Sequence, residues 1–406
     1  MRPRFIPLMA ATTAAALSLV SVIGPAAAST KPTSTTPASS PAAVARVVAY
    51  LSPIGTSTTC TASAPCGSLT NALSVAGDGG TVYLTSGQYP DIIVNPTKKL
   101  TGYQLGVTVT PAPGATPVVA GMRIYVPRVT FTGLTGHGVF YFATGSDGSS
   151  LLNSHLSGPN VSVLVRSSHD TVQNNLLEGG QTHDGINVAA THTPNTDTLI
   201  AGNTVRDFNS GPAGKEHADC IQMFDTDRVT IVRNTLYDCY NSGITFSPGA
   251  SLGITNIVVE SNFIEGCIST RMQAAFGRNC GNGGSSVDVR GTWIKSASLN
   301  HNTIVGNSAR LPAQPGITAD ANIIGYLSLT KCATSLTNSL MLNYTLSACS
   351  AGLPGAHNVL GKASFVGQAS GNLRLLAPLT GAPTPPTVSY TDIDGQPFTG
   401  AIGADQ

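Results

Sequence analysis

Two short segments of this chain carry an aspartate at the same position relative to an apolar residue and an amide. Asp184 stands in Thr-His-Asp-Gly-Ile-Asn, and Asp219 stands in His-Ala-Asp-Cys-Ile-Gln. If the two segments form neighbouring parallel strands, they lie about 4.8 Å apart. Two carboxylates that close raise the pKa of one of them or bind a cation. The pattern therefore predicts acid–base chemistry or a metal site.

Two later segments extend this alignment, Asn-Ser-Gly-Ile-Thr at 241–245 and Ser-Val-Asp-Val at 286–289. The apolar residues that would point into a core are Ile186, Ile221, Ile244 and Val287. Side chains alternate between the two sides of a strand, so the residue after each of these should point outward. The predicted outward row, which we expect to bind substrate, is Asn187, Gln222, Thr245 and Asp288.

Two long insertions, at about 209–217 and 269–285, precede the second and fourth segments and would form walls beside this row. They carry five charged or titratable residues, Lys215, Glu216, His217, Arg271 and Arg278. We expect His217, Lys215 or Arg271 to transfer protons at the paired aspartates. Glu216 would join the aspartates as a cation ligand, and Arg278 and Trp293 would contact substrate. A solvated loop explains any one of these residues equally well, and only their common placement favours a site.

The elements that would position these side chains follow from a recurring asparagine. An apolar residue, two others and then Asn recur every 20 to 40 residues, and another apolar residue follows within two positions. The series comprises Asn175, Asn203, Asn234, Asn262 and Asn302, with weaker members at Asn153 and Asn322. Asn suits tight turns because it tolerates the left-handed conformation and hydrogen-bonds locally. Short strands closed by a polar turn at this period predict an all-β, right-handed parallel β-helix with a ladder of stacked asparagines.

Composition agrees with a secreted strand-and-turn protein of 406 residues, of which only 10% are charged and 70 are Gly or Pro (44 and 26). Residues 1–28 read as a signal peptide, and the Ser-, Thr-, Pro- and Ala-rich residues 29–43 as a linker. We expect one β-helix domain over 44–406, with a cap at 47–95, coils at 96–330, and C-terminal coils and a tail packed on the outside at 331–406. The 21 basic and 20 acidic residues give no electrostatic case for nucleic acid or a membrane surface. We expect a monomer.

All eight cysteines follow the signal, as suits an oxidising compartment. The spacing predicts two local pairs, Cys60 with Cys66 and Cys332 with Cys349. Cys239 and Cys267 both lie five residues after a ladder asparagine, so they could bridge neighbouring coils and leave Cys220 to pair with Cys280. The pairs Cys220–Cys239 and Cys267–Cys280 are the alternative.

The two ends of the chain add a family resemblance. The opening YLSPIGTSTTCTASAPCGSLTNALSVAGDGGTVYLTSGQY resembles the N-terminal cap of secreted bacterial right-handed β-helix proteins of the pectate-lyase-like superfamily. The ending DIDGQPFTGAIGADQ is similar to the C-terminal segment of many of them. Together with the ladder, the resemblance covers nearly all of 47–406. It implies an enzyme acting on an extracellular polysaccharide, with Ca²⁺ as a possible cofactor.

Two activities of this superfamily suit the candidate residues differently. The resemblance to uronan lyases implies a cation at Asp184 and Asp219 and a base such as His217 or Lys215, for β-elimination on a pectate- or alginate-type polymer. In the comparison with polygalacturonases, which are hydrolases, the same two aspartates match. Ala218 and Ser242, however, replace that family's general acid and its histidine. A glycoside hydrolase, or a non-catalytic carbohydrate-binding or adhesion β-helix, is the alternative to the lyase.

Overall fold

The structure, a computed structural model, describes residues 46–191, 193–211, 217–249, 252–277, 279–280, 284–289, 291–312, 314–329, 335–346, 355–383, 391–398 and 402–405. The predicted signal peptide and linker, and the predicted Cys332–Cys349 pair, lie outside these residues. In the described ranges, no helix is long and apolar enough to cross a bilayer.

Parallel strands wind in three rows, each strand pairing with its equivalent one coil later. The first row is a sheet of 12 strands. Its strands are Val48–Leu51, Thr81–Leu84, Val107–Pro111, Val129–Thr132, Ser150–Leu152, Thr171–Gln173, Leu199–Ala201, Thr230–Val232, Ile257–Glu260, Ala297–Asn300, Ile317–Asp320 and Leu336–Thr337. The second and third rows share a sheet of 21 strands. They are joined through two long strands, Thr303–Arg310 and Ile323–Leu329, that run through both rows.

The other strands of the second row are Gly87–Tyr89, Pro117–Val119, Thr135–Gly136, His155–Ser157, Leu176–Glu178, Thr204–Phe208, Thr235–Cys239, Phe263–Glu265, Leu340–Met341 and Val359–Leu360. Those of the third row are Ile92–Val94, Met122–Ile124, Val139–Phe142, Ser162–Val165, Ile186–Ala189, Ile221–Phe224, Ser242–Phe246, Ser285–Asp288 and Tyr344–Leu346. Two small pairs complete the strands, Asn195–Thr196 with Thr226–Asp227, and Phe365–Gly367 with Asn372–Leu375. This winding is the predicted parallel β-helix.

Alternation along the short strands fills the interior with one continuous apolar core. In the strand Val129–Thr132, for example, Val129 and Phe131 are fully buried while the threonines between and after them are partly exposed. Equivalent residues stack coil upon coil, as Leu151 pairs with Phe131 on one side and Val172 on the other. The β-branched and aromatic residues of this sequence favour such half-buried strands.

The predicted asparagine ladder closes the turn between the first and second rows. The Nδ2 of Asn175 donates to Oδ1 of Asn203 at 2.9 Å, and Asn203 donates to Asn234 in the same way at 3.0 Å. The series continues through Asn262, Asn302 and Asn322 at 3.0 to 3.1 Å. Each Oδ1 also accepts a hydrogen bond from the preceding asparagine's backbone N–H.

The expectation that the ladder asparagines adopt the left-handed conformation is wrong. The residue before each one does so, as with Arg233 at φ 55° and His301 at φ 52°. This geometry turns the asparagine side chain inward along the axis. Asn153 itself has φ 49°, so it is the turn residue and the next residue, Ser154, occupies the ladder. The predicted series was therefore one residue out of place at this end.

An amphipathic helix, Leu69–Ala76, covers the N-terminal end of the coils. Its buried residues are Leu69, Ala72, Leu73 and Ala76, spaced at one face of a helix. Gly77 ends it with φ 69°. A second helix, Ser269–Phe276, lies within the later insertion, and short 3₁₀ turns occur at Leu100–Gly102 and Gln368–Ser370.

The described C-terminal residues first continue the coils and then pack on their outer surface. Coil strands persist through Val359–Leu360. Beyond them, Leu373 of the hairpin and Ala404 form an apolar cluster with Phe263 and Val305 on the second row. The C-terminal segment therefore lies against the outside of the second row.

Three disulfides join Cys60 to Cys66, Cys220 to Cys239, and Cys267 to Cys280. The proposed bridge between Cys239 and Cys267 is wrong, and the alternative pairing is found. Counting from the ladder assumed strands of equal length, but the strand that ends at Cys239 has five residues whereas its successor ends at Glu265 after three. Cys267 therefore lies beyond its strand, where it pairs across the inserted helix.

Candidate functional site

The predicted outward row is present on the third row of strands. Asn187 pairs with Gln222, Gln222 with Thr245, and Thr245 with Asp288. The residues that precede them, Ile186, Ile221, Ile244 and Val287, are all fully buried, as predicted. The register extends the same row to Arg310 at one end, and to Leu164 and Tyr141 at the other.

Asp184 and Asp219 lie side by side where the chain enters two successive third-row strands. The backbone N–H of Asp219 donates to Oδ1 of Asp184 at 2.9 Å, and the carbonyl of Asp219 accepts from the N–H of Gly185 at 2.9 Å. The coil alignment predicted this contact. Both side chains are buried, which was not predicted.

His217, at the end of the earlier insertion, bridges the two carboxylates. Its Nδ1 lies 3.2 Å from Oδ1 of Asp184 and 3.0 Å from Oδ2 of Asp219. The side chain of His217 is 55% exposed, against 6% for Asp184 and 0% for Asp219. His217 is therefore the member of this cluster that can contact a ligand, and its contacts with the two buried aspartates fix the position of its ring.

Burial and mutual contact set the charges of the cluster. Hydrogen bonds to Asp184 and then to Asp219 raise the pKa of His217 to about 10, against the opposing effect of its own burial. Burial raises the pKa of Asp219 to about 6, although His217 lowers it. At neutral pH His217 is therefore an imidazolium, which donates a proton rather than accepting one.

The cluster also has features of a cation site. Asp184, His217 and Asp219 each offer a ligand atom, and these atoms lie within 4.8 Å of one another. Oδ2 of Asp219 is buried and lies 3.0 Å from Nδ1 of His217. Two carboxylates and one imidazole suit a smaller divalent metal ion. They fall short of the roughly six to eight oxygen ligands that Ca²⁺ takes. Glu216, the third predicted ligand, lies outside the described residues.

Hydrogen bonds connect the cluster to the outward row. Asn187 donates from Nδ2 to Asp184 at 2.9 Å and to Gln222 at 3.0 Å. Gln222 in turn donates to Ser247 at 2.9 Å. Thr245 donates to Oδ1 of Asp219 at 3.2 Å. The predicted row and the predicted aspartates thus form one polar network.

The winding of the chain agrees with a family match. Residues 137–324 match the family model described as a right handed beta helix region. The chain contains a right-handed parallel β-helix. A search of curated protein sequences finds no match to this β-helix protein.

Several solved structures are similar to this β-helix at low identity. Pectate lyase Pel9A has 15% identity and a TM-score of 0.44, over 87% of this chain and 88% of that one. A rhamnogalacturonan lyase has 12% identity and a TM-score of 0.41, over 77% and 87%. The A-module of mannuronan C-5 epimerase AlgE6 from Azotobacter vinelandii has 13% identity and a TM-score of 0.29, over 70% and 92%.

Arg166 of the β-helix is a site residue that the sequence did not reveal. Its guanidinium donates to the carbonyls of Val165 and Asn187, both at 2.9 Å, and to Oδ1 of Asn187 at 2.8 Å. Within the described residues it forms no ion pair with a carboxylate. Burial lowers its pKa, and the nearby Tyr141 and Asp184 act in the opposite direction. Continuing the alignment one coil toward the N-terminus would have found it.

The remaining candidates differ in where the β-helix places them. Arg271 forms ion pairs with Asp238 and Glu265 near the end of the second row, away from the paired aspartates. Asp288 lies 3.4 Å from Arg310 in the outward row. Trp293 donates from Nε1 to the carbonyl of Phe246 at 3.2 Å and packs partly against the core. Two further candidates, Lys215 and Arg278, lie outside the described residues.

Proposed function

We propose that this protein is a secreted enzyme that cleaves a uronic-acid polymer, of pectate or alginate type, by β-elimination on the third row of its β-helix. The observation that carries the proposal is the exposed His217 held over two buried carboxylates, at the edge of a continuous outward row of polar side chains. An exposed histidine whose pKa is strongly raised by two buried carboxylates is typical of functional sites.

Arg166 supports an acidic substrate. A half-buried guanidinium that forms no ion pair among the described residues is a ready ligand for a sugar carboxylate, since its fork matches that group. In the proposal Arg166 neutralises the substrate carboxylate and so acidifies the adjacent C–H bond. A divalent cation at Asp184 and Asp219 would supply the same neutralisation when bound, and these donors favour a smaller divalent ion over the Ca²⁺ that the resemblance implies.

His217 moves the proton in this reaction. Its neutral form takes the proton from the carbon next to the carboxylate, while the bond from the neighbouring carbon to the glycosidic oxygen breaks. A double bond forms between the two carbons, and the leaving oxygen gains a proton. Because its pKa is about 10, the neutral form of His217 is scarce at pH 7, so elimination by this base is favoured at alkaline pH.

Glycoside hydrolysis is the second candidate, and the structure supplies a specific reason to keep it. The sequence comparison found Ala218 at the position of a general acid. The imidazolium of His217 is exposed beside the outward row and could donate the proton to the leaving group instead. In that case, activity would fall as pH rises through about 10.

The proposed function also implies that the protein is exported and that its partner is extracellular. The three disulfides suit an oxidising compartment, in agreement with the signal peptide expected at residues 1–28. The partner would be an extracellular acidic polysaccharide, and we expect the enzyme to act as a monomer.

The test incubates the mature protein with pectate, alginate and glycosaminoglycans, with divalent cations or with a chelator. Ultraviolet absorbance detects the unsaturated product of elimination, and a reducing-end assay detects hydrolysis. Asp219→Ala is the inactive variant, and Asp197→Ala, at an exposed carboxylate paired with Arg228 on another turn, is its matched control. An increase in absorbance that is lost in Asp219→Ala and kept in Asp197→Ala supports the lyase. New reducing ends without absorbance would support the hydrolase. Binding without turnover would contradict both and favour a binding protein.

A further inference from the structure

A second concave surface lies away from the cluster, between the coils and the C-terminal hairpin. Its volume is about 770 Å³, within the range of roughly 300–1,000 Å³ usual for ligand sites. Polar side chains from both walls line it, among them Gln173, Asn174, Arg233, Asn372, Arg374 and Asp394. We call this surface the hairpin cleft.

The hairpin cleft and the cluster occupy opposite ends of the second-row strands. Thr235, which lines the cleft, begins the strand Thr235–Cys239. The cluster follows the other end of equivalent strands, beyond Phe208 in the preceding coil. A ligand in the cleft therefore leaves the outward row of the third strand row open.

The walls of the cleft are fixed to one another. Gly371 packs so closely on the ring of Tyr237 that a Cβ atom there would lie 2.5 Å from it. Ser261 donates to the carbonyl of Thr391 at 2.5 Å, and Leu373 is buried in the apolar cluster below the hairpin. A cleft with such rigid walls loses little entropy when it binds a ligand.

The charged groups of the cleft balance one another. Arg374 donates to Asp405 at 2.8 Å and to Asp394 at 2.6 Å. Arg233 donates to the hydroxyl of Thr391 at 3.1 Å and, within the described residues, forms no ion pair with a carboxylate. Burial raises the pKa of Glu260 to about 7, and the charge of Arg233 acts against that rise. The surface thus offers donors and acceptors together without a large positive field.

We propose that the hairpin cleft is a second carbohydrate-binding site, which takes a short stretch of neutral saccharide. Sugar hydroxyls both donate and accept hydrogen bonds, and amides, a guanidinium and a carboxylate in one cleft match them. A polyanion is disfavoured because the carboxylate of Asp394 lines the cleft and Arg374 is already paired with it. The site goes beyond the proposed cleavage, since it would hold the protein on a polysaccharide while the third row acts.

The test is calorimetric titration of the mature protein carrying Asp219→Asn, which prevents turnover. The probes are neutral oligosaccharides from galactan, arabinan and β-glucan, with oligogalacturonate as the acidic comparison. Arg233→Asn removes the guanidinium and suits the φ of 55° there. Arg228→Asn is a matched control, with the same substitution at φ 54° on a turn outside the cleft. Thr235→Phe fills the cleft.

We expect at least one neutral oligosaccharide to bind, and Arg233→Asn to weaken it roughly tenfold, as for loss of a hydrogen bond to a charged group. Thr235→Phe should abolish that binding, and Arg228→Asn should leave it unchanged, while unfolding curves show all three variants folded. Failure of every neutral probe, equal weakening by both arginine variants, or tighter binding of oligogalacturonate at the cleft would overturn the proposal. None of these outcomes depends on whether the protein cleaves a polymer.

Discussion

Two stacks of polar side chains run along this β-helix, and they differ in how their hydrogen bonds are satisfied. In the asparagine ladder each buried Nδ2 donates to the next Oδ1, from Asn175 through to Asn322. In the cluster, the bridging His217 contacts both buried aspartates and is itself 55% exposed. The ladder satisfies its own hydrogen bonds, whereas the cluster exposes a side chain to a ligand.

The difference separates polar groups that hold the coils together from polar groups that suit chemistry. A buried polar network with every partner present is rigid and specifies one register. Burying two carboxylates beside one another costs free energy of desolvation, which a fold retains where those groups serve another purpose. Substitutions in the ladder should therefore change stability, and those in the cluster should change activity.

The largest expected effect is on the ladder. Asn234→Ala should lower the free energy of unfolding by about 3–5 kcal/mol, because it leaves several buried donors and acceptors unpaired at roughly 1–3 kcal/mol each. Asn234 accepts from Asn203 and donates to Asn262. Urea unfolding measures the change. Asn153→Gly, at a turn residue outside the ladder, should cost less than about 1 kcal/mol, and an equal cost would contradict this account of the ladder.

Substitution in the cluster should reduce turnover more than it reduces stability. His217→Ala should reduce turnover of the responsive polymer by about 10²–10⁴-fold, the usual loss for a general acid or base. Its free energy of unfolding at neutral pH should fall by less than that of Asn234→Ala, since the side chain is half exposed and solvent screens its ion pairs with the two aspartates. His155→Ala is the matched control, at another half-exposed histidine paired with a carboxylate, Glu178. Equal losses of turnover in both variants would remove the distinction.

Much of this contrast could be predicted from the sequence, because the recurring asparagines fix the register between successive coils. Once Asn203 and Asn234 are aligned, Asp184 and Asp219 must be neighbours, since equivalent residues of successive coils stack. The same reasoning failed at Cys267, where an inserted helix changes the strand length. It also misplaced the turn at Asn153. The pattern of residue types does not distinguish a ladder position from the left-handed residue before it.

The chemistry of the cluster could not be predicted in the same way. Which of Asp184, His217 and Asp219 faces solvent depends on the path of the insertion that ends at His217, and a single sequence does not determine it. The role of Arg166 was equally hidden, because its contacts with backbone carbonyls and Asn187 are a three-dimensional property. Burial and contacts, rather than residue types, decide the protonation of His217.

That protonation gives a smaller and more specific prediction. Asp184→Asn should lower the pKa of His217 from about 10 toward its ordinary value, since the hydrogen bond to Asp184 is the largest cause of the rise. Asp219→Asn should lower it as well. Titration of the imidazole signals by nuclear magnetic resonance measures both. A pKa of His217 that is unchanged in both variants would show that the imidazole is not held between the carboxylates.

The same shift makes a statement about stability and pH. The folded pKa of His217 is above the unfolded value, so the folded state binds more protons between them. The contribution of His217 to stability is therefore complete below about 6.5 and is lost as pH rises through about 10. Unfolding curves at several pH values should show this loss in the wild type and not in His217→Ala.

The smallest expected effect lies where the outward row meets the cluster. Thr245→Val removes only the hydroxyl that donates to Oδ1 of Asp219 at 3.2 Å, and keeps the side-chain shape. Losing this one hydrogen bond should cost about 1 kcal/mol of stability. It should also raise the pKa of Asp219 further, because the charged form loses a donor. A modest fall in turnover, well short of that in His217→Ala, would place Thr245 as a positioning residue. Unchanged turnover would confine the effect on activity to the three residues of the cluster.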